Sequence, residues 1–280
     1  MLRLSLALSL AMPAAMPAAT SAILPILAAA SVVTTSLVMT GCEKKGLTPE
    51  EQAAKNKEDL TNGAARVRDE KYDEADAMFA RVLAVEPENA EALAGMGRVR
   101  LGQRNFDEAV TLLERAAAKT PEDGPLQASL GEVYGKLDRH AESAAAYGAA
   151  FKADPNNGNL GIAQSHALMK AKQLEQAEAV LREVVKVDPQ AEYVYTDLGD
   201  ALRLQGKLDE ALKSYMKGLI EHVGDKKAHA GAAEVYELQN NRAKAIDEWS
   251  TYIRMDCCSE FTNTVAKKRI AALQDTKADG

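Results

Sequence analysis

Four histidines, His140, His166, His222 and His229, are the side chains of this 280-residue chain best suited to move a proton near neutral pH or to ligate a transition metal. A zinc site would need them at short spacings, as in His-Glu-x-x-His, or interleaved with cysteines. They are not so placed. Neighbouring carboxylates are the raw material of general acid–base chemistry, and three such pairs occur: Asp73-Glu74, Asp107-Glu108 and Asp209-Glu210. Each is followed by alanine and falls at the same phase of one interval. Repetition of that kind points to helix starts, with Asp as the N-cap and Glu in the first turn, where the helix dipole favours negative charge. No Walker loop, dinucleotide glycine fingerprint or Gly-x-Ser-x-Gly elbow is present. The expectation is a chain that is not an enzyme and holds no metal. Of the three cysteines, Cys42 directly follows an apolar segment. The neighbours Cys257 and Cys258 have three possible fates: plain turn residues (the expectation), a strained vicinal disulfide, or a link to another chain.

The elements that position these residues are set by proline. Pro87, Pro121, Pro155 and Pro189 stand 34 residues apart, a fixed period that marks a repeat array. With each proline as residue thirty-two of a unit, six units fill 56–259: 56–89, 90–123, 124–157, 158–191, 192–225 and 226–259. The eighth residue is always small (Gly63, Gly97, Gly131, Ser165, Gly199, Ala233), and so is the twentieth (Ala75, Ala109, Ser143, Ala177, Ala211, Ala245). The twenty-fourth is always large and apolar or aromatic (Phe79, Leu113, Tyr147, Leu181, Tyr215, Trp249). Small residues let two helices cross closely. The large one lies a turn further along the same face and fills the gap toward the next unit. Proline then ends the hairpin, because it cannot continue a helix. Residues 260–280 supply a capping helix and tail: Val265, Ile270 and Leu273 with Ala266, Ala271 and Ala272 form an apolar stripe, with Lys267-Lys268-Arg269 as a solvated face.

Composition agrees with helices. Aromatics make up 5% of the chain and hydrophobic residues 46%. The net charge of −7 and the absence of a basic stripe argue against nucleic-acid binding. The first 41 residues carry one charge, Arg3, and end in an apolar stretch followed by Gly41, as an export signal does. The residues alone leave open a membrane-spanning helix over about 22–39. Residues 42–55 read as the anchor cysteine and a polar tether.

Two resemblances add to this. The 34-residue pattern resembles the tetratricopeptide repeat and implies an all-α, right-handed superhelical solenoid of six helix hairpins plus a C-terminal capping helix. Met39-Thr40-Gly41-Cys42 resembles the lipobox of bacterial lipoproteins, which implies signal removal and a covalent lipid (palmitate) on Cys42, with no other cofactor. Glu43 is not the Asp that resembles an inner-membrane retention signal. The expected location is therefore the periplasmic face of the outer membrane, with inner-membrane anchoring left open. In tetratricopeptide proteins the first helix of each unit lines a concave groove. The resemblance implies that Leu60, Ala94, Ala128 and Ile162 (fifth positions), Arg98, His166 and Asp200 (ninth), Met169 and Arg203 (twelfth) and Tyr193 (second) form a partner-binding groove. The Lys, Asn and Arg set with which some family members hold a chain terminus is absent, so the expected ligand is an extended or helical protein segment on apolar anchors. A lipid anchor, a short tether, six units and a cap resemble the pilotin lipoproteins of type IV pili and social gliding. That implies protein partners, secretin subunits among them, with no small-molecule substrate. The alternative is an adaptor for cell-wall or polysaccharide-export machinery.

Overall fold

The computed structural model describes residues 47–275. The expected signal segment, Cys42 and the first tether residues lie outside the described residues, as do 276–280. Among the described residues the structure is entirely helical. Six antiparallel hairpins follow one another: α1 (Pro49–Arg68) with α2 (Tyr72–Val85), α3 (Ala90–Gly102) with α4 (Phe106–Ala117), α5 (Gly124–Lys136) with α6 (His140–Ala153), α7 (Gly158–Lys170) with α8 (Leu174–Val187), α9 (Val194–Leu204) with α10 (Leu208–Glu221), and α11 (Lys226–Leu238) with α12 (Arg242–Met255). A π-helical turn at Thr262–Ala266 leads into α13 (Lys267–Asp275). No helix among the described residues is long and apolar enough to cross a membrane.

The small positions do what their size requires. All six eighth-position residues are buried. The large twenty-fourth residue lodges between its own hairpin and the next. A Cβ built on Gly199 would lie 2.6 Å from the Tyr215 ring, and one on Gly231 of the following hairpin 2.4 Å from it. Tyr215 is thus clamped between two backbones that only glycine allows to approach so closely. Phe79 is held in the same way by Gly63 and Gly95.

Each hairpin turns on a left-handed residue. Glu70, Arg104, Asp138, Lys172, Gly206 and Asn240 recur at the 34-residue interval with φ between 56° and 77°. Three of the six, Glu70, Arg104 and Lys172, are types for which this conformation costs about 1–2 kcal/mol. The second helices begin two residues later, so the acidic pairs sit inside the first turn and not at the cap. The N-cap residues are Lys71, Asn105, Arg139, Gln173, Lys207 and Asn241, of which only Asn241 accepts a bond through its side chain. The expected Asp caps are corrected accordingly. The acidic pairs act on the dipole alone.

The odd helices are capped at the residue ending each unit. Asn89, Asp123 and Asp225 accept bonds from the first helical N–H groups. Ser259 does the same for the terminal helix, its Oγ accepting from the N–H of Thr262 at 3.1 Å. At this position unit four ends in Ala191, which has no cap to offer. There α9 starts two residues late, and Tyr193 takes a left-handed backbone. Helix α1 departs in the opposite sense. Thr48 and Glu51 form a reciprocal capping box in front of Pro49, so residues 49–55, expected as tether, are the first turns of α1.

Along the six hairpins each odd helix packs closely on the next odd one, whereas the backbones of even-numbered helices stay further apart and reach one another through long side chains, as Arg182 of α8 and Glu210 of α10 do at 2.8 Å. The array therefore curves with the odd helices on its inner side. At the far end, Ala266, Ile270 and Leu273 cover Trp249 and Tyr252 of the last hairpin. Ala271 and Ala272 face solvent.

Candidate functional site

The inner row brings the expected groove residues onto one surface but does not leave all of them free. Leu60 and Ile162 are 8% exposed and Ala94 is 3% exposed. Each belongs to a core cluster, because the fifth position faces the neighbouring odd helix, which covers it. These three side chains leave a ligand little surface, Leu60 only an edge, so the continuous apolar strip expected along units one to four is broken. Ala128 and Met169 are half-buried. Tyr193 leaves the row altogether. With the first turn of α9 missing, its ring moves to the inter-repeat edge, 5.5 Å from His222. Arg98, His166, Asp200 and Arg203 do line the inner face.

Three hollows interrupt this face. The first, about 340 Å³, lies between α1 and α3 and is the most apolar, with Val67, Phe79 and the edge of Leu60 as walls and Arg98 at its rim. Arg98 reaches across to α5 and donates from Nε to Ser129 Oγ at 3.0 Å; burial pushes its guanidinium pKa down. The second, about 250 Å³, lies where α5, α6 and α7 meet, around Gly135, His140, Tyr147 and His166. The third, about 280 Å³, lies between α9, α11 and the terminal helix, around Asp200, Arg203 and Glu234.

Asp200, Arg203 and Glu234 of the third hollow already have partners, while the ammonium of its Lys227 is paired with no carboxylate among the described residues. The Tyr215 hydroxyl donates to Asp200 Oδ1 at 2.7 Å, and Arg203 Nε donates to the Tyr215 oxygen at 3.2 Å. Arg203 also pairs with Glu234 at 2.9 Å. Arg269 of α13, expected in a solvated face, instead returns to the array and meets Glu237 at 3.0 Å. Glu237 also accepts the Trp249 indole N–H at 2.5 Å. Burial pushes the Asp200 carboxyl up, with the Tyr215 and Arg203 bonds opposing it. Burial, and the negative charge of Asp200 beside it, push the Tyr215 phenol far up. This lattice fixes the last hairpins and their cap to one another.

The histidines are dispersed. His166 Nε2 lies 2.9 Å from Asp197 Oδ1, and His229 Nδ1 lies 2.6 Å from Glu248. No group of three or more His, Cys, Asp or Glu among the described residues could hold a metal. Cys257 and Cys258 are exposed free thiols in the turn before the terminal helix. Sequence reasoning missed the second hollow. Its signal was Gly135 at the twelfth position, where the other units carry Val67, Leu101, Met169, Arg203 and Glu237.

Residues 66–132 and 136–196 match one tetratricopeptide-repeat family model, and residues 193–219 match a second. Together they cover more than half of the chain. It is a tetratricopeptide-repeat protein. Among solved structures, this tetratricopeptide array is similar to PilW, described as a widely conserved type IV pilus biogenesis factor: 21% identity, TM-score 0.60, 75% of this chain and 97% of that one. It is also similar to PilF of Pseudomonas aeruginosa, at 13% identity and TM-score 0.59, over 82% of this chain and 99% of that one. YrrB, described as a TPR protein with an unusual peptide-binding site, aligns at 21% identity and TM-score 0.56, over 68% of this chain and 97% of that one. At these identities the likeness is one of fold. No curated protein matches the chain in sequence.

Proposed function

We propose that this tetratricopeptide protein is a lipid-anchored scaffold on the periplasmic face of the outer membrane, and that it assists assembly of a secretin for type IV pili. The coarse part follows from the family: tetratricopeptide repeats bind protein partners. The observation that carries the finer part is the arrangement along the chain. Six hairpins with an open inner row end in a covered last hairpin, and they begin at a Thr48-capped helix six residues after Cys42. A lipid on Cys42 would hold that inner row close to the bilayer, raising its effective concentration for any partner inserted there. Similarity in fold to PilW and PilF over three quarters or more of the chain favours a pilus role over other envelope tasks.

Two measurements test this. Cys42→Ala should release the protein from the membrane fraction. Deleting the gene should remove detergent-resistant secretin multimers and twitching. Normal multimers in the deletion strain retire the pilus role and leave an adaptor for other envelope machinery. A Cys42→Ala protein that stays in the outer-membrane fraction retires the lipid anchor.

A further inference from the structure

The second hollow is built unlike the rest of the inner row. Gly135 removes the side chain that fills this place in the other units. A Cβ there would meet only Ser143 Oγ, at 3.4 Å, so the space is open and not merely tight. Ala163 and Ala167 on α7 keep the opposite wall low. The floor is set by Ser143, which donates to the Gly131 carbonyl at 2.7 Å, and by the Tyr147 ring lying against Gly131.

The rim is cationic. Lys136 and Lys170 occupy the same repeat position 34 residues apart, both exposed, and neither has an acidic partner among the described residues. In the third hollow Arg203 is engaged by Glu234, and Lys227 stands alone rather than as one of a pair. Glu132 lines the hollow with two ammonium groups and two imidazoles, and Asp138 stands 3.8 Å from His140 Nε2 on the outer side of the ring, so the rim's uncompensated charge is that of the two lysines. His166 is held by Asp197 through Nε2. His140 Nδ1 is buried with no hydrogen-bond partner, a ring nitrogen whose bonding capacity is unused. In a chain of net charge −7, this is a local site for negative charge.

We infer that this hollow receives a Glu or Asp side chain of a protein partner lying along the inner row, with its carboxylate between Lys136 and Lys170 and within reach of His140. The volume favours a side chain over a free metabolite: 250 Å³ is below the roughly 300–1,000 Å³ of ordinary small-molecule pockets. The ligand's charge sets specificity and register, as complementary charge does at other interfaces. This inference rests on the reading of the inner row as the partner-holding face. It replaces the apolar anchors expected at Leu60, Ala94 and Ile162, which are buried.

The test uses the full chain in detergent and fluorescein-labelled decapeptides with blocked ends, measured by fluorescence anisotropy. One peptide carries Glu at alternate positions, and a second carries Gln there. A third is the Gln peptide with a free C-terminal carboxylate. The Glu peptide is expected to bind about tenfold or more tightly than the Gln peptide, since two ion pairs are at stake. Lys136→Glu with Lys170→Glu is expected to abolish that difference, at unchanged helical content because both side chains are exposed. Gly135→Leu should fill the hollow and weaken the Glu peptide, and Lys152→Glu, outside the hollow, should not. Equal binding of Glu and Gln peptides, including failure of both to bind, overturns the inference, as does insensitivity to the double lysine variant. Preference for the free terminus over the internal Glu overturns it in favour of terminus capture. The scaffold reading is judged separately by the secretin multimers of the deletion strain, so either reading can fail alone.

Discussion

Asp225 ends unit five and starts α11, and its two carboxylate oxygens do different work. Oδ1 accepts the N–H groups of Lys227 and Ala228 at 3.0 and 3.1 Å. Oδ2 accepts the hydroxyl of Thr196 on α9. Both Asp225 and Thr196 are buried, so one side chain caps a helix and satisfies the hydroxyl of its neighbour. Asp225→Ala should cost about 2 kcal/mol in chemical denaturation: the loss of a cap plus an orphaned hydroxyl. Asn at the same position should retain most of that. Asn89, Asp123 and Asp225 recur at one position, a signal in the sequence that the acidic pairs at 73–74, 107–108 and 209–210 drew attention away from. What Ala191 does in their place was not legible. An absent cap leaves no mark of its own, and the displaced Tyr193 could be located only from coordinates. The left-handed turn residues were hidden for a related reason. Gly206 announces such a backbone, but Glu70, Arg104, Asp138 and Lys172 do not. There the tertiary frame overrides the local preference of the residue.

At the scale of helices and hairpins, the recurring sizes carried most of the information. Small eighth and twentieth residues and a large twenty-fourth were enough to place all six hairpins, because their sizes are set by backbone contact and not by any ligand. The clamp on Tyr215 gives the sharpest check. Gly231→Ala puts a methyl carbon 2.4 Å from the ring, and the ring has backbone on its other side at Gly199. Overpacking of this sort should cost about 1–3 kcal/mol. Gly206→Ala, with no atom within 4 Å, should show only the smaller cost of its left-handed φ. A Gly231→Ala protein as stable as the parent would mean that the hairpins slide apart freely. The groove was the less legible part. A helical wheel says which residues point inward but not which of them the next hairpin covers, and that is why Leu60, Ala94 and Ile162 were misplaced while Arg98 and His166 were not. The start of α1 was in the sequence all along, as Thr48-Pro49-Glu50-Glu51, but its proline suggested a linker as readily as a helix start.

For the whole array, each hairpin touches only its neighbours, so its two ends are its exposed cross-sections. The C-terminal end is covered by α13, which shields Trp249 and Tyr252 and sends Arg269 back to Glu234 and Glu237. A chain stopped at residue 259 should lose on the order of 3 kcal/mol of buried contact from Ala266, Ile270 and Leu273. For an array of this size that predicts a melting temperature lower by roughly 6–12 °C, together with increased binding of a hydrophobic dye. An unchanged melting curve would show the terminal helix to be an appendage.

The contact pattern of the two rows has a mechanical consequence. Inner helices lean on one another, while the outer ones are bridged by little more than long side chains such as Arg182 and Glu210. Flexing therefore stretches exposed ion pairs on the outer row, and most of the load falls on the inner one. Such an array is built as a leaf spring is, stiff along one row and yielding along the other.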